Sequence, residues 1–475
     1  MYNFLSEIQS NTVRLGNVVE GIMNIKQDAY IIDSTSMNEQ KKTTPHKERL
    51  SLKLRSINSD ICVATVVVPS PIVQEFYDLA AQHQQKSLTI PGFEKGQVPL
   101  GYIKKNYREN LIIHTQELLF KFYAISFLYQ EIREQQLIVA GEPRLVEIAL
   151  LPESEASFSF QLTLITDKLI QEWKYFPFNA PKRKRYKDLD KQVKTFIDKE
   201  KEAELNHAND SIQFNDWIYF SIIIVDTNKQ ALADHLPQYF WFHIGKEDTE
   251  STLRNIFLER HVGDSYITEN SALQEYFSTQ LDSHYLFNIS ILNKVPATYI
   301  DFESAKRHFK LKTNKTLHQK LIEVFSYRND LSQRRAIAQE ALATLLDKHP
   351  VKPPLQMILR KQEDIIKAIK ESADYNVYRI QKSFEGYLLS LAEKQCCEEI
   401  IIDHIAAHEN ISITPTDVYD YLNLYKRART KEFIYFKIPA FTLQNQEIPA
   451  SCEEMMRYCL REKTLNYIIY HLTKD

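Results

Sequence analysis

The stretch IPGFEKGQVP, residues 90–99, decides how the first third of this chain is read. The chain has 475 residues and only 9 glycines, yet Gly92 and Gly96 fall within this one decapeptide, between Pro91 and Pro99. Glycine permits backbone conformations closed to other residues, and proline stiffens the ends of a turn. The segment therefore reads as a structured loop that holds Phe93, Glu94 and Lys95 at its tip. A plain helix–helix turn uses the same residue types, so the stretch alone leaves two readings open.

Working outward, Ser70 and Pro71 suit a helix start, and Ile72, Phe76, Leu79 and His83 keep helical spacing toward Lys86. Pro99 opens a second, long helix whose face runs through Ile103, Tyr107, Leu111, Leu118, Phe122, Ile125, Tyr129 and Ile132. Upstream, Leu52, Leu54 and Ile57, then Ile61, Val63, Thr65 and Val67, alternate on either side of a short polar turn and predict a β-hairpin. Downstream, RLVEIALL (144–151) and SFSFQLTLI (157–165) predict two more strands. Residues 49–165 thus read as a β-β-α-loop-α-β-β module, with the glycine loop joining two antiparallel helices.

The rest of the chain divides by pattern. Residues 166–210 are charged and read as a connector. Residues 211–296 carry three aromatic and β-branched runs, WIYFSIIIVD, YFWFHIG and YLFNISILNKV, and read as a β-rich domain. Residues 297–475 are mostly helical, with Thr414, Pro415 and Asp417 opening one helix and Ser451 with Glu454 offering a capping box for the last. Leu5, Ile8, Leu15, Val18, Val19 and Ile22 share a helical face in the N-terminal extension, and a polar linker runs on to residue 48. That extension suits an accessory helix or a membrane or partner anchor. The fold class is α+β, multidomain, in keeping with a length of about three domains.

Composition excludes several functions. With so few glycines, phosphate-cradling loops have almost no raw material, and neither a P-loop nor a dinucleotide fingerprint occurs. A net charge of −3 argues against a surface that coats nucleic acid, while leaving room for a local basic patch. The 5 cysteines follow no framework spacing and read as reduced thiols. No run of about 18 apolar residues marks a membrane span. The expected location is the cytoplasm.

The loop and the module order resemble the bacterial trigger factor family of ribosome-associated chaperones, over about residues 49–475. Gly92, Phe93, Glu94, Lys95, Gly96, Val98 and Pro99 follow that family's Gly-Phe-Arg-x-Gly-x-x-Pro loop, and Tyr107 fits the tyrosine on the helix after it. The resemblance implies a ribosome-binding head, a connector, an FKBP-like domain and a helical SurA-like chaperone domain. It assigns ribosome binding to Gly92, Phe93, Glu94, Lys95 and Gly96, with Phe93 supplying apolar area and Lys95 meeting phosphate or carboxylate. Glu94 departs from the family's arginine and removes a cation, so either this head binds ribosomes weakly or Lys104, Lys105 and Arg108 on the next helix compensate.

The resemblance also implies a peptidyl-prolyl isomerase, but the pocket segment aligns with Glu250-Ser251-Thr252-Leu253, and Glu250 puts charge where an apolar wall is needed. The expectation is a retained scaffold, with Phe242 and Tyr266 either lining a shallow pocket or serving as core residues. An active isomerase and a ribosome-independent assembly or secretion chaperone stand as alternatives. Expected partners are the large ribosomal subunit near the exit tunnel, nascent or unfolded polypeptides and, as an open alternative, a second copy of the chain. DNA, a membrane, a cofactor and a metal are not expected.

Tyr375, Tyr378, Phe384 and Tyr387 recur at helical spacing in a polar segment of the tail and are the candidates for client binding. The same spacing suits a face that seals the helix against its neighbours. His404 and His408, four apart near Cys396, Cys397 and Asp403, have a spacing that reaches a metal, but no HExxH or paired CxxC accompanies them. The run KRKR, residues 182–185, reads as a solvated patch or an RNA contact.

Overall fold

The computed structural model describes residues 50–59, 61–135, 137–164, 172–175, 188–207, 211–225, 238–245, 252–277, 285–327, 331–370, 375–425, 434–436, 438, 441–443 and 446–472. The N-terminal extension, Glu250, Ser251 and the KRKR run lie outside the described residues.

The hairpin forms where alternation predicts it. Strands β1 (Ser51–Ser56) and β2 (Ile61–Val68) pair antiparallel, and the Asn58 side chain accepts the Ile61 N–H at 2.7 Å to close the turn. With β3 (Val139–Ala149) and β4 (Ala156–Leu164) they make a four-stranded antiparallel sheet in the order β1-β2-β4-β3. Helix α1 (Ser70–Ser87) follows, with Pro69 as its N-cap. This head buries Ala64, Val66, Phe76, Phe158 and Phe160, each large side chain contributing about 1.5–3 kcal/mol of transfer free energy.

The second long helix is interrupted twice. Helix α2 (Leu100–Asn106) stops at Tyr107, whose φ of −116° and ψ of 22° leave the helical region, and α3 (Arg108–Leu119) restarts there. A π-turn, Phe120–Ala124, then leads into α4 (Ile125–Glu134). A π-turn disturbs the helical bonding ladder, and here Gln238 Nε2 donates to the Phe122 carbonyl at 2.9 Å while Gln238 Oε1 accepts from Ser126 Oγ at 2.6 Å. The helical run Arg108–Glu134 is long and apolar enough to meet the composition of a membrane span, with half of it buried inside the protein. Leu111, Leu118, Leu119 and Phe122 on it are core residues.

The middle of the chain contributes β5 (Trp217–Val225), β6 (Gln238–His243), a short helix α6 (Thr252–Asn255), β7 (Ser265–Thr268), α7 (Ser271–Phe277) and β8 (Leu286–Val295). Its apolar face does not form a separate core. Leu118, Phe122, Phe158 and Phe160 of the head belong to one buried cluster with Ile218, Phe220, Phe287 and Ile289. Tyr285 fastens the two: both its backbone groups bond the Gln274 side chain, its hydroxyl is hydrogen-bonded to His114 Nε2, and its ring lies 4.3 Å from that of His83. Burial pushes the His114 ring pKa down to about 3, followed in effect by the charges of His83 and Lys121, so the ring is neutral at ordinary pH.

The helical body gathers elements from the connector and from the tail. From the connector, Trp173 and Val193 of α5 (Leu189–His207) are buried in its core, and Phe196 packs edge-on to Phe302 and Phe325. The tail supplies α8 (Phe302–His308), α9 (Asn314–Tyr327), α10 (Leu331–Lys348), α11 (Leu355–Lys370), α12 (Tyr375–Tyr378), α13 (Phe384–His408) and α14 (Pro415–Leu424). The helix start expected at Thr414, Pro415 and Asp417 is present, and Thr414 and Asp417 form a capping box there.

The tail is not helical throughout. A two-residue ladder of β9 (Thr442–Leu443) and β10 (Gln446–Glu447) precedes β11 (Ala450–Ser451), which adds to the edge of β6 and gives the sheet order β11-β6-β5-β8-β7. The last helix, α15 (Cys452–Leu472), starts with the Ser451 hydroxyl accepting the Glu454 N–H at 3.2 Å.

Candidate functional site

The loop of residues 88–99 is a closed structure with a solvent-facing tip. Gly92 and Gly96 have φ of +95° and +83°, in the left-handed region where a side chain is strained. Two turns follow from them: the Phe93 N–H donates to Ile90 O at 3.1 Å and the Gln97 N–H to Glu94 O at 3.0 Å. Val98 anchors the base. It is fully buried among Tyr77, Ala80, Ala81, Ile103 and Leu111, a small core separate from the main one, and the Gln85 side chain holds its carbonyl. With the base fixed, the tip presents Phe93 at 39% exposure and leaves Glu94 and Lys95 in solvent.

The tip carries a second ring that the sequence reading did not single out. Tyr102, on the first turn of α2, is also exposed and lies 5.7 Å from Phe93 between ring centroids. Of the three cations placed to offset Glu94, Lys105 and Arg108 are exposed, whereas Lys104 pairs with Asp78 at 2.6 Å. Tyr107 sits half-buried against the small core at the break between α2 and α3.

The four tail aromatics do not share one helix. Tyr375 ends up in the single turn α12, residues 379–383 form a turn, and Phe384 begins α13. Tyr375 and Phe384 meet edge-on at 6.3 Å and are half-buried, Arg379 lies over the Tyr375 ring, and Tyr387 is 67% exposed. The Tyr378 side chain lies outside the described residues. Aliphatic neighbours that a search for aromatic spacing overlooks are also exposed: Leu389, Val377 and above all Ile380, at 78% exposure. At the other end of the α11–α13 hairpin, Met357 and Ile358 of α11 pack with Ala392, Cys396 and Ile400 of α13 against Ala140 of β3. The hairpin is thus anchored on the head at one end and apolar at its free end.

In the middle sheet, Phe242 is buried 5.7 Å from Phe257, and Tyr266 donates its hydroxyl to Ile256 O at 2.9 Å while Arg260 covers its ring at 3.6 Å. Both are engaged as structural residues. His404 is buried, His408 is exposed, and Asp403 is bound to Arg461. Among the described residues no three His, Cys, Asp or Glu side chains converge as a metal would need.

An open glycine loop between helices, on a four-stranded antiparallel head joined to a helical body, defines an α+β protein with a solvent-facing loop tip. The model of the bacterial trigger factor protein family matches residues 51–199, which include that head. Trigger factor of Campylobacter jejuni strain 81-176 is 28% identical over 94 residues, 20% of this chain and 21% of that protein. The aligned part thus spans about a fifth of that relative's length. Trigger factor of Clostridium kluyveri is 18% identical over 392 residues, 78% of this chain and 88% of that protein. A solved chain described under "Promiscuous Substrate Recognition in Folding and Assembly Activities of the Trigger Factor Chaperone" aligns with 88% of this chain and 99% of its own, at 15% identity and a TM-score of 0.35. The chain is thus similar to the trigger factor family over residues 51–199 and, at lower identity, over most of its length.

Proposed function

We propose that this chain is an ATP-independent cytoplasmic chaperone that docks at the ribosomal exit site through residues 91–99 and holds nascent or unfolded polypeptides on its helical body. The observation that carries the reading is the tip itself. Phe93 is held in solvent by a loop whose base is pinned by Val98. An exposed ring on a fixed turn has little conformational entropy left to lose on binding, and Lys95, Lys105 and Arg108 supply cations for a phosphate-rich partner. For clients, the free end of the α11–α13 hairpin offers Val377, Ile380 and Tyr387 as adaptable apolar surface.

The middle sheet serves as a scaffold in this reading, because Phe242 and Tyr266 are both committed to internal contacts. A proline-limited refolding assay checks it, and catalysis by the full chain overturns that part.

Co-sedimentation of the full chain with ribosomes tests the docking. Binding at low salt that falls with Phe93→Ala and with Lys95→Glu supports the reading, and no binding of the parent chain at low salt removes the ribosomal half of it. A ribosome-independent assembly or secretion chaperone is then the reading left. It is favoured by the exposed Glu94 and by the capture of Lys104 by Asp78.

A further inference from the structure

Residues 305–320, AKRHFKLKTNKTLHQK, hold six lysines and arginines and no acidic residue, in a chain whose net charge is −3. They run from the end of α8 through a short loop into the first turns of α9. Half of the cations are engaged locally: Lys306 pairs with Glu303 at 2.5 Å, Arg307 with Asp420 at 2.8 Å and Lys320 with Glu323 at 3.1 Å. Lys310, Lys312 and Lys315 are exposed, and none of the three has an ion-pair partner among the described residues.

Two of these three stand where local backbone physics disfavours them. Helix α8 ends in a Schellman motif, with the Leu311 N–H donating to Lys306 O at 2.8 Å and the Lys310 N–H to Arg307 O at 3.0 Å. That places Lys310 at a φ of +54°, in the seat usually taken by glycine. Lys315 lies in the first turn of α9, where the helix dipole favours acids, and that turn contains none. Local rules broken side by side on one surface point to a use for the charge. Aromatic rings adjoin it. Lys310 Nζ lies 5.7 Å from the Tyr467 ring, Tyr467 is 4.3 Å from His471, and His471 meets Tyr470, which is 57% exposed, edge-on at 5.2 Å.

We propose that Lys310, Lys312 and Lys315, with the Tyr470 ring, form a binding surface for single-stranded RNA on the helical body. The lysines track the phosphates while a base stacks on the open ring. An acidic peptide has no bases to stack, and a lipid surface finds no large aliphatic side chain of residues 305–320 exposed to insert. The choice of RNA over DNA rests on the proposed docking at a ribosome, whereas the surface itself is separate from the loop of residues 91–99.

Fluorescence anisotropy of the full chain with a labelled oligouridylate of about 12 nucleotides tests it. No ribosome is present, so failure here and failure of the docking are read separately. Log affinity should fall against log salt with a slope of about −2, from three phosphate contacts at about 0.7 each. Lys312→Gln with Lys315→Gln should bring the slope to about −0.7, and Tyr470→Ala should weaken binding several-fold at unchanged slope. Lys310→Gly should weaken binding without lowering the thermal midpoint, since glycine relieves the positive φ. No binding at low salt, an unchanged slope in the double variant, or unaltered affinity in Tyr470→Ala each overturns the proposal. So does equal flattening by Lys53→Gln with Arg55→Gln, which removes the same charge from exposed positions of β1, or polyglutamate that competes as well as the RNA.

Discussion

The rings of Phe93 and Tyr102 lie 5.7 Å apart, tilted by 51°, and both are open to solvent. Neither carries much of the folding energy, since exposed side chains away from caps and cores change stability by about 0.5 kcal/mol or less. Phe93→Ala and Tyr102→Ala should therefore leave the thermal midpoint almost unmoved. Each should nonetheless weaken ribosome binding several-fold, Phe93→Ala by removing the ring and Tyr102→Ala by removing its support. A Tyr102→Ala variant that binds as the parent does would mean that Phe93 acts alone.

The loop's shape depends on backbone freedom rather than on space. A Cβ at Gly96 would meet nothing within 4 Å, yet its φ of +83° strains any other residue. Gly96→Ala should cost about 1 kcal/mol by denaturant titration and should weaken docking although Phe93 and Lys95 are intact. Unchanged binding would show that the turn does not aim the tip.

The helical body has a charged centre. Arg461 is buried on α15, where it bonds Glu399 at 3.1 Å and Asp403 at 3.1 Å. Removing one partner of a buried set leaves the others charged without compensation, so Arg461→Ala should cost about 3–5 kcal/mol. A double-mutant cycle with Asp403→Asn should recover part of that loss, and strict additivity would contradict the coupling.

Acid stability should depend on Glu409, which accepts hydrogen bonds from Trp173 Nε1 at 3.1 Å, Lys174 Nζ at 2.6 Å and the Tyr467 hydroxyl at 2.7 Å. Burial raises its pKa, but the bonds from Lys174, Tyr467 and Trp173 outweigh it and hold the carboxyl down to about 2. A depressed carboxyl stabilises the fold above its unfolded value and loses that contribution as pH falls through the folded one. Glu409→Gln should lower stability at pH 7 and flatten the loss between about pH 4.5 and 2. An unaltered acid limb would count against this role.

The head was legible in the sequence because its signals are local. Period-two alternation placed β1 and β2, and glycine with proline marked the loop and its flanking helices. The break at Tyr107 and the π-turn were not legible, since the apolar face runs on through both, and Gln238, which bonds the Phe122 carbonyl, comes from a strand far along the chain. Tyr285 gave no signal as a clasp for the same reason: His83 and His114 meet it only in the fold. Val193 and Phe196 sit in a charged run that reads as a connector, yet they enter the body's core. The two residues of β11 are too few for any pattern. At the end of the α11–α13 hairpin away from the head, aromatic spacing found Tyr387 but passed over Val377 and Ile380, which are exposed at or beside a turn rather than along a helical face.

The central claim is that the tip of residues 91–99 touches the ribosome, and a photo-crosslinking side chain at position 93 of the full chain tests it most directly. On purified ribosomes, ultraviolet light should join position 93 to components of the large subunit beside the exit tunnel, while the same probe at the buried position 98 should give no product. Equal labelling from positions 93 and 98, or none from 93 at protein concentrations where the parent chain co-sediments, would contradict the account.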